Sequence, residues 1–93
     1  MTVQRYALIQ ERLRNALAPQ SIELIDESHL HAGHAGAQGN RGHYRVTLVS
    51  NQFSGLRPLA RHQLVYHALG DLMQTDIHAL SVTALTPEEA LPE

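Results

Sequence analysis

The chain has 93 residues, of which 43% are hydrophobic and 17% charged, and this length and composition predict a single globular domain over 1–93. It contains no cysteine, which excludes disulfides, a thiol nucleophile and metal sites built from the chain's own thiolates. The formal net charge of −2 argues against tight non-specific binding to nucleic acid, since that binding needs a basic surface. With neither a long apolar run nor a signal-like N-terminal segment, we expect a cytoplasmic protein that does not cross a membrane.

The first predicted elements are a helix and a short strand. Apolar residues recur at steps of three and four along the first segment, which is typical of one buried helix face: Val3, Tyr6, Ile9, Leu13, Ala16 and Leu17. Pro19 ends this helix, because the residue before a proline avoids helical geometry. Residues 21–27 alternate and include β-branched side chains, which predicts the first strand.

Residues 29–42 are rich in glycine and histidine. This segment holds four of the six glycines and three of the seven histidines. Glycine at that density disfavours both helix and strand, so the segment is predicted to be a long flexible loop. Residues 43–50 then predict a second strand, antiparallel to the first.

A turn, a helix, a strand and a short final helix are predicted for the rest of the chain. Pro58 suits an early helical position, and Gly70 interrupts the helix that follows it. The predicted buried stripe of that helix consists of Leu59, His62, Val65, Tyr66, Leu69, Leu72 and Met73. Residues 78–85 predict a third strand, and Thr86 and Pro87 begin the last helix. Because a helix connects the second and third strands, these two should be parallel. The expected fold is α+β in the order α-β-β-α-β-α, with a three-stranded mixed sheet and helices packed mainly on one face.

Histidine is the residue type with the clearest potential for chemistry. His29, His31 and His34 lie in the glycine-rich loop, and because neutral imidazole is the commonest metal ligand, the loop is a candidate metal site. A polar, solvent-facing loop without a specific role explains the same residues, and the residues alone leave both interpretations open. His43 and His78 each begin a predicted strand, where a core histidine bonded to a backbone carbonyl is the common alternative.

Motifs for nucleic-acid binding and catalysis are weaker. Gly33 and Gly36 match the G-x-x-G clamp of KH domains, but this spacing repeats along the loop and lies between two strands rather than two helices. Arg57, Arg61 and His62 flank the second helix and are candidates to contact phosphates or an acidic partner, or they form a solvated helix face. Neither a Ser–His–Asp triad nor a carboxylate pair stands out, so we do not expect an enzyme.

Five segments in register resemble the BolA family, and the resemblance covers nearly the whole chain. In chain order they are Asp26-Glu27-Ser28 with the histidine-bearing loop after it, His43-Tyr44-Arg45-Val46, Phe53-x-Gly55, Arg61-His62-x-x-Val65-Tyr66 and His78-Ala79-Leu80. That family is similar in fold to class II KH domains but lacks the G-x-x-G clamp. The resemblance therefore implies a single BolA-like domain of this fold.

The resemblance also implies partnership with a monothiol glutaredoxin that carries a Cys-Gly-Phe-Ser site. The two proteins would share a bridging [2Fe–2S] cluster, with thiolates from the glutaredoxin cysteine and a bound glutathione. The BolA-like chain would supply the histidine that matches His78 and a second ligand from the loop. Counting from Asp26 places that second ligand at His31, with His29 and His34 as neighbouring alternatives. No cluster is expected in the isolated protein.

Some members of the family imply a different function, that of a DNA-binding transcriptional regulator of stress response and cell morphology. The acidic net charge argues against a reader of duplex DNA, which should present a basic face. Imidazoles in place of thiolates on one iron raise the potential of a cluster and leave on protonation, which suits cluster transfer or sensing. The sequence therefore favours iron–sulfur cluster handling or iron signalling, and it leaves open whether the isolated chain is a monomer or a homodimer.

Overall fold

The computed structural model describes residues 2–27 and 42–91. In chain order the elements are helix α1 (Thr2–Leu17), strand β1 (Ser21–Asp26), strand β2 (Gly42–Val49), a 3₁₀ turn (Asn51–Phe53), helix α2 (Pro58–Leu69), helix α3 (Leu72–Thr75), strand β3 (Ile77–Leu85) and helix α4 (Pro87–Ala90). The predicted order is confirmed, with α3 as an additional short helix. The predicted loop at 29–42 lies outside the described residues except for Gly42, which belongs to β2 and not to the loop. Within those two ranges, no helix is long and apolar enough to cross a bilayer.

The three strands form one mixed sheet in the order β1-β2-β3. β1 runs antiparallel to β2, from Ser21 opposite Val49 to Asp26 opposite Tyr44. β2 runs parallel to β3, as the intervening helices require. β2 is therefore central, and β3 lies at an edge of this sheet.

The core lies between one face of the sheet and the helices. Alternate residues of β2 point into it, since Tyr44, Val46 and Leu48 are buried while the residues between them are half-buried or exposed. Leu24 of β1 joins them. The other buried apolar side chains come from the helices, the 3₁₀ turn and the start of β3: Ile9, Leu13, Leu17, Phe53, Val65, Leu69, Leu72 and Ile77. The prediction of an α+β fold with helices on one face is confirmed.

The predicted buried stripe of the second helix is partly wrong. Val65 and Leu69 are fully buried, but Leu59 is 71% exposed and Tyr66 is 41% exposed. Arg61 turns inward instead, with only 13% of its side chain exposed. A long cationic side chain can bury its methylene stem while its guanidinium donates hydrogen bonds to carbonyl and carboxylate oxygens. At Arg61 this turns inward a side of the helix that the apolar residues do not indicate.

Gly70 ends α2, where the sequence predicts only an interruption. Its backbone has φ +55° and ψ −128°, a conformation that glycine adopts far more readily than other residues. Its N–H donates to the carbonyl of Tyr66 at 2.9 Å, which closes the last turn of the helix. The chain then restarts as α3, so that Leu72 still reaches the core.

Thr86 begins α4 as predicted. Its hydroxyl accepts a hydrogen bond from the N–H of Glu89 at 3.3 Å, and the Glu89 carboxylate accepts one from the N–H of Thr86 at 2.9 Å. This reciprocal pair is a capping box, which satisfies two backbone donors at the start of the helix.

Candidate functional site

His78 lies at the start of β3, at the point where the pairing with β2 shifts by one residue. Gly42 lies opposite Ile77 and His43 lies opposite Ala79, so His78 is an extra residue on the edge strand. Ile77 is buried, whereas His78 and Ala79 are both exposed, which interrupts the alternation of the strand. A bulge of this kind re-aims the side chain that it carries. The result is a solvent-accessible imidazole on a backbone held by the sheet.

His43 lies next to His78 on the neighbouring strand. The centroids of the two imidazole rings are 4.9 Å apart, and the ring planes are tilted by 45°. His43 is half-buried, and its Nε2 atom is buried. The structure therefore places two histidines, one accessible and one partly covered, at the same end of the parallel strand pair.

Backbone hydrogen bonds hold the end of the sheet around this histidine pair. The N–H of Glu27 donates to the carbonyl of His43 at 2.8 Å, and the N–H of Gly42 donates to the carbonyl of Asp76 at 2.9 Å. A depression of about 210 Å³ opens beside the pair, lined by Glu27, His43, Tyr44, Ala79, Leu80 and Ser81. Two ion pairs flank it, between Arg45 and Glu27 at 3.0 Å and between Arg5 and Asp76 at 3.5 Å. Backbone hydrogen bonds therefore hold this end of the sheet together, and Glu27, the acidic residue that lines the depression, is paired with Arg45.

Tyr44 lies under the site, on the core side of β2. Its side chain is buried, and burial raises the pKa of its phenol above the usual value, a rise that the neighbouring Arg5 guanidinium opposes. Tyr44 is therefore neutral at physiological pH and adds no negative charge to the surroundings of the histidines.

The loop histidines named by the sequence, His29, His31 and His34, lie outside the described residues. The described chain stops at Glu27 and resumes at Gly42, and both of these residues contact the backbone around the histidine pair. The two described residues that border this segment, Glu27 and Gly42, thus lie at the same end of the strands as His43 and His78.

The proposed contact residues Arg57, Arg61 and His62 do not join this site. The Nη1 atom of Arg61 donates to the carbonyl of Ala84 at 2.9 Å, near the far end of β3. Ala84 lies six positions after His78 in β3, which is about 20 Å of strand. The two groups of sequence-predicted residues therefore lie at opposite ends of the third strand.

Within the second group, Arg61 has a structural role. It donates to both carboxylate oxygens of Glu89, at 2.6 and 3.1 Å, and to the carbonyl of Leu56 at 2.8 Å. This bidentate pairing lowers the pKa of Glu89 to about 2. Arg57 is exposed and makes no side-chain bond to the helix start that it precedes, while His62 is half-buried with its ring centroid 6.4 Å from that of Tyr66. Arg57 is the member of this group that an anionic partner can reach.

Sequence reasoning singled out His78 but treated His43 as a core histidine. The signal for the pair was present, because each histidine begins a strand and those two strands were predicted to be parallel neighbours. Their starting ends must then lie together at one end of the sheet.

The fold and the site define a small α+β domain that presents an imidazole at the edge of a mixed sheet. Comparison with known proteins identifies its family. The sequence profile described as BolA-like protein matches residues 13–89. The BolA domain of SufE1 from Arabidopsis thaliana superposes with a TM-score of 0.82 at 38% identity, covering 92% of this chain and 95% of that one.

Two relatives show the range of names in this family. BolA-like protein 1 of Homo sapiens is 43% identical over 83 residues, covering 89% of this chain and 58% of that protein. The DNA-binding transcriptional regulator BolA of Escherichia coli (strain K12) is 40% identical over 81 residues, covering 87% of this chain and 74% of that protein. The chain belongs to the BolA-like family, which confirms the resemblance found in its sequence.

Proposed function

We propose that this protein is an accessory protein in iron–sulfur cluster handling or iron signalling. It binds a monothiol glutaredoxin of the Cys-Gly-Phe-Ser type and shares a bridging [2Fe–2S] cluster with it through histidine ligands. His78, on β3, is one cluster ligand. A loop histidine is the second ligand, with His31 preferred over His29 and His34. The glutaredoxin cysteine and a bound glutathione supply the thiolates.

The observation that carries this proposal is the exposed imidazole of His78 at the sheet edge. A ligand that must meet a cluster held by another protein has to be accessible and already oriented, and the bulge in β3 supports both properties. An exposed histidine on an ordered strand also loses little conformational entropy on binding.

The donor set also fits a shared cluster better than a resident one. The chain has no thiolate to offer. Among residues 4–27 and 42–91, no three histidine or acidic side chains gather in a way that could hold a metal ion. The cluster, when bound, supplies redox-active iron, and imidazole ligation on one iron raises its potential. The role of this chain is to bind the partner and present the imidazoles.

The test is to mix the protein with a cluster-loaded monothiol glutaredoxin and to follow visible circular dichroism and size exclusion. We expect a heterodimer and a changed spectrum, both lost in His78→Ala. We expect His31→Ala to weaken the complex or alter its spectrum, because His29 and His34 are close in sequence and can substitute. His67→Ala, which removes an exposed histidine of α2, is the matched control. An unchanged spectrum with no complex would refute the proposal.

A DNA-binding regulator is the second candidate function, and the name of the Escherichia coli relative favours it. The described arginines offer limited support, since Arg5, Arg12, Arg45 and Arg61 each form an ion pair. We expect weak binding to duplex DNA that falls steeply with added salt.

Arg57→Ala tests this second candidate, with Arg14→Ala on the exposed face of α1 as its control. DNA binding is measured by fluorescence anisotropy at increasing salt concentration. Sequence-specific, salt-resistant binding that is lost only in Arg57→Ala would reverse the order of the two functions.

A further inference from the structure

We propose that the outer face of α2 is a protein-binding surface that takes an acidic amphipathic helix of a partner protein. One line of residues along the helix and its C-cap forms this surface, the α2 stripe: Leu59, Gln63, Tyr66 and Gly70. The surface uses neither His78 nor the loop histidines, so it stands independently of the function proposed above.

The members of the α2 stripe lie in line on the solvent side of the helix. Steps of four, three and four positions separate them, which keeps residues on one helix face. All of them are exposed, including the apolar side chains of Leu59 and Tyr66. Aromatic residues are enriched and acidic residues depleted in protein interfaces, as they are along this stripe. A protein segment offers apolar side chains to match Leu59 and Tyr66, and the phosphate backbone of DNA does not.

A shallow depression lies at the C-terminal end of the stripe. It has a volume of about 390 Å³ and is lined by Gln63, Tyr66, His67 and Gly70. Gly70 contributes no side chain, and the nearest atom to the place of a Cβ there is Nη1 of Arg12, 3.7 Å away. Tyr66 supplies an aromatic wall. An apolar side chain of a partner can therefore insert between Tyr66 and Gly70, and an anchor of this kind is the usual energetic centre of a protein interface.

The distribution of charge along the chain selects an acidic partner. All nine acidic residues lie in 1–27 or 71–93, so the segment 28–70, which contains β2 and α2, has none. That segment carries four of the seven arginines and six of the seven histidines. An acidic partner therefore meets no like charge from α2 itself, whereas a basic partner would face arginine and histidine.

Two acidic residues near the ends of α2 are held in ion pairs. Glu89 of α4 pairs with Arg61 at 2.6 Å, and Asp71 after α2 pairs with Arg12 at 3.5 Å. Arg57 immediately precedes α2 and is exposed. A carboxylate of the partner is therefore attracted to the start of the stripe, while the neighbouring acidic side chains have their charge compensated.

The test uses two synthetic peptides of about 18 residues, a length at which an isolated helix begins to be stable. Both have leucine at helical spacing along one face, and the other positions are alanine with either glutamate or lysine. Binding to the full chain is measured by fluorescence anisotropy. We expect the glutamate peptide to bind at least about tenfold more tightly than the lysine peptide.

Two substitutions of equally exposed side chains test the position of the surface. Tyr66→Ala should weaken binding of the glutamate peptide by about tenfold or more, because it removes the aromatic wall of the depression. Ile25→Ala is the matched control, because Ile25 on β1 has the same exposed fraction as Tyr66. It should bind the glutamate peptide as the wild type does.

Gln63→Glu and Gln63→Lys test the charge preference at an exposed position of the stripe. We expect the first change to weaken binding of the glutamate peptide several-fold and the second to strengthen it. Both variants decide the matter even if Tyr66→Ala does not fold. In nuclear magnetic resonance spectra of the full chain, the amide resonances of residues 59–70 should shift when this peptide is added.

Equal affinity for the two peptides, undiminished affinity in Tyr66→Ala, or resonance shifts confined to other elements would each overturn the proposal. Binding of duplex DNA, or dimerisation in sedimentation, that is lost in Tyr66→Ala would overturn it as well, because DNA or a second copy of the chain would then occupy the stripe. His78→Ala should bind the glutamate peptide as the wild type does, so this proposal and the proposed function can fail separately.

Discussion

Ser50 joins three elements of the fold, and Ser50→Ala tests how much that junction stabilises the protein. The residue is fully buried. Its hydroxyl donates to the carbonyl of Leu17 at the end of α1, at 2.6 Å, and accepts from the N–H of Gln52 at 3.1 Å as the cap of the 3₁₀ turn. Alanine removes both bonds but keeps the backbone bond from the N–H of Ser50 to the carbonyl of Leu85.

The expected loss follows from these two bonds. Leaving the buried carbonyl of Leu17 without its donor costs about 1–3 kcal/mol. Removing a side-chain cap costs about 0.5–2 kcal/mol. We therefore expect Ser50→Ala to lower the free energy of unfolding by about 2–4 kcal/mol, a large share of the roughly 5–15 kcal/mol typical of a domain.

Urea unfolding followed by far-ultraviolet circular dichroism measures this loss. The dependence of the unfolding free energy on urea should stay unchanged, since the substitution alters stability and not the surface exposed on unfolding. Ser54→Ala is the matched control, because Ser54 follows the same turn but is exposed. It should change stability by less than about 0.5 kcal/mol. Equal losses in the two variants, or a loss below about 1 kcal/mol in Ser50→Ala, would refute the reasoning.

Three further predictions concern the site and the frame around it. His78→Ala should abolish the cluster-bridged complex in size exclusion. It should change the free energy of unfolding by less than about 0.5 kcal/mol, because the side chain is exposed. A larger loss of stability in urea would contradict that exposure. Gly70→Ala should destabilise the fold by about 1–3 kcal/mol in the same urea assay, because φ +55° with ψ −128° strains an L-residue. Steric contact is not the cause, since the nearest atom to a Cβ at this position lies 3.7 Å away. Wild-type stability would show that the helix end adopts another conformation. Arg61 lowers the pKa of Glu89 from 4.5 to about 2, so this ion pair stabilises the fold above about pH 4.5, and that stabilisation is lost as the pH falls towards 2. The thermal midpoint of Glu89→Gln should therefore fall less than that of the wild type over this range. Parallel curves of thermal midpoint against pH for the two proteins would contradict the prediction.

The sequence singled out His78, which the structure places exposed at the start of β3, and its role as a ligand stays a prediction. A lone histidine at the start of a strand is ambiguous, and the resemblance to the BolA family was needed to select His78. The neighbouring imidazole of His43 was missed. The predicted parallel pairing places the two strand starts at one end of the sheet, but the side-chain contact at 4.9 Å also depends on the one-residue register shift beside His78. A register shift reflects how the whole strand fits the core and the turn before it, and no short window of sequence contains that information. The roles assigned to the loop histidines stay predictions.

The periodicity of α2 shows a second limit. Apolar spacing placed Leu59 and Tyr66 in the core, but they are exposed, and Arg61 lies on the inward side. The inward position of Arg61 depends on acceptors that are distant in sequence, namely the carbonyl of Ala84 and the carboxylate of Glu89. A pattern that scores each residue by its own hydrophobicity cannot include partners 23 and 28 residues away.

Local physics in the sequence was enough to determine the mixed sheet, the order of the elements and every predicted helix and strand, with the short α3 as the exception. The apolar period of α1, the alternation of β1, the proline at the start of α2 and the threonine cap of α4 each act over a few residues, and the structure has the predicted helix or strand at each of these places. The tertiary structure alone decided the bulge that exposes His78, the approach of His43 to 4.9 Å, and the burial of Arg61. These features arise from contacts between residues far apart in the chain, whose free energies depend on the packed fold as a whole.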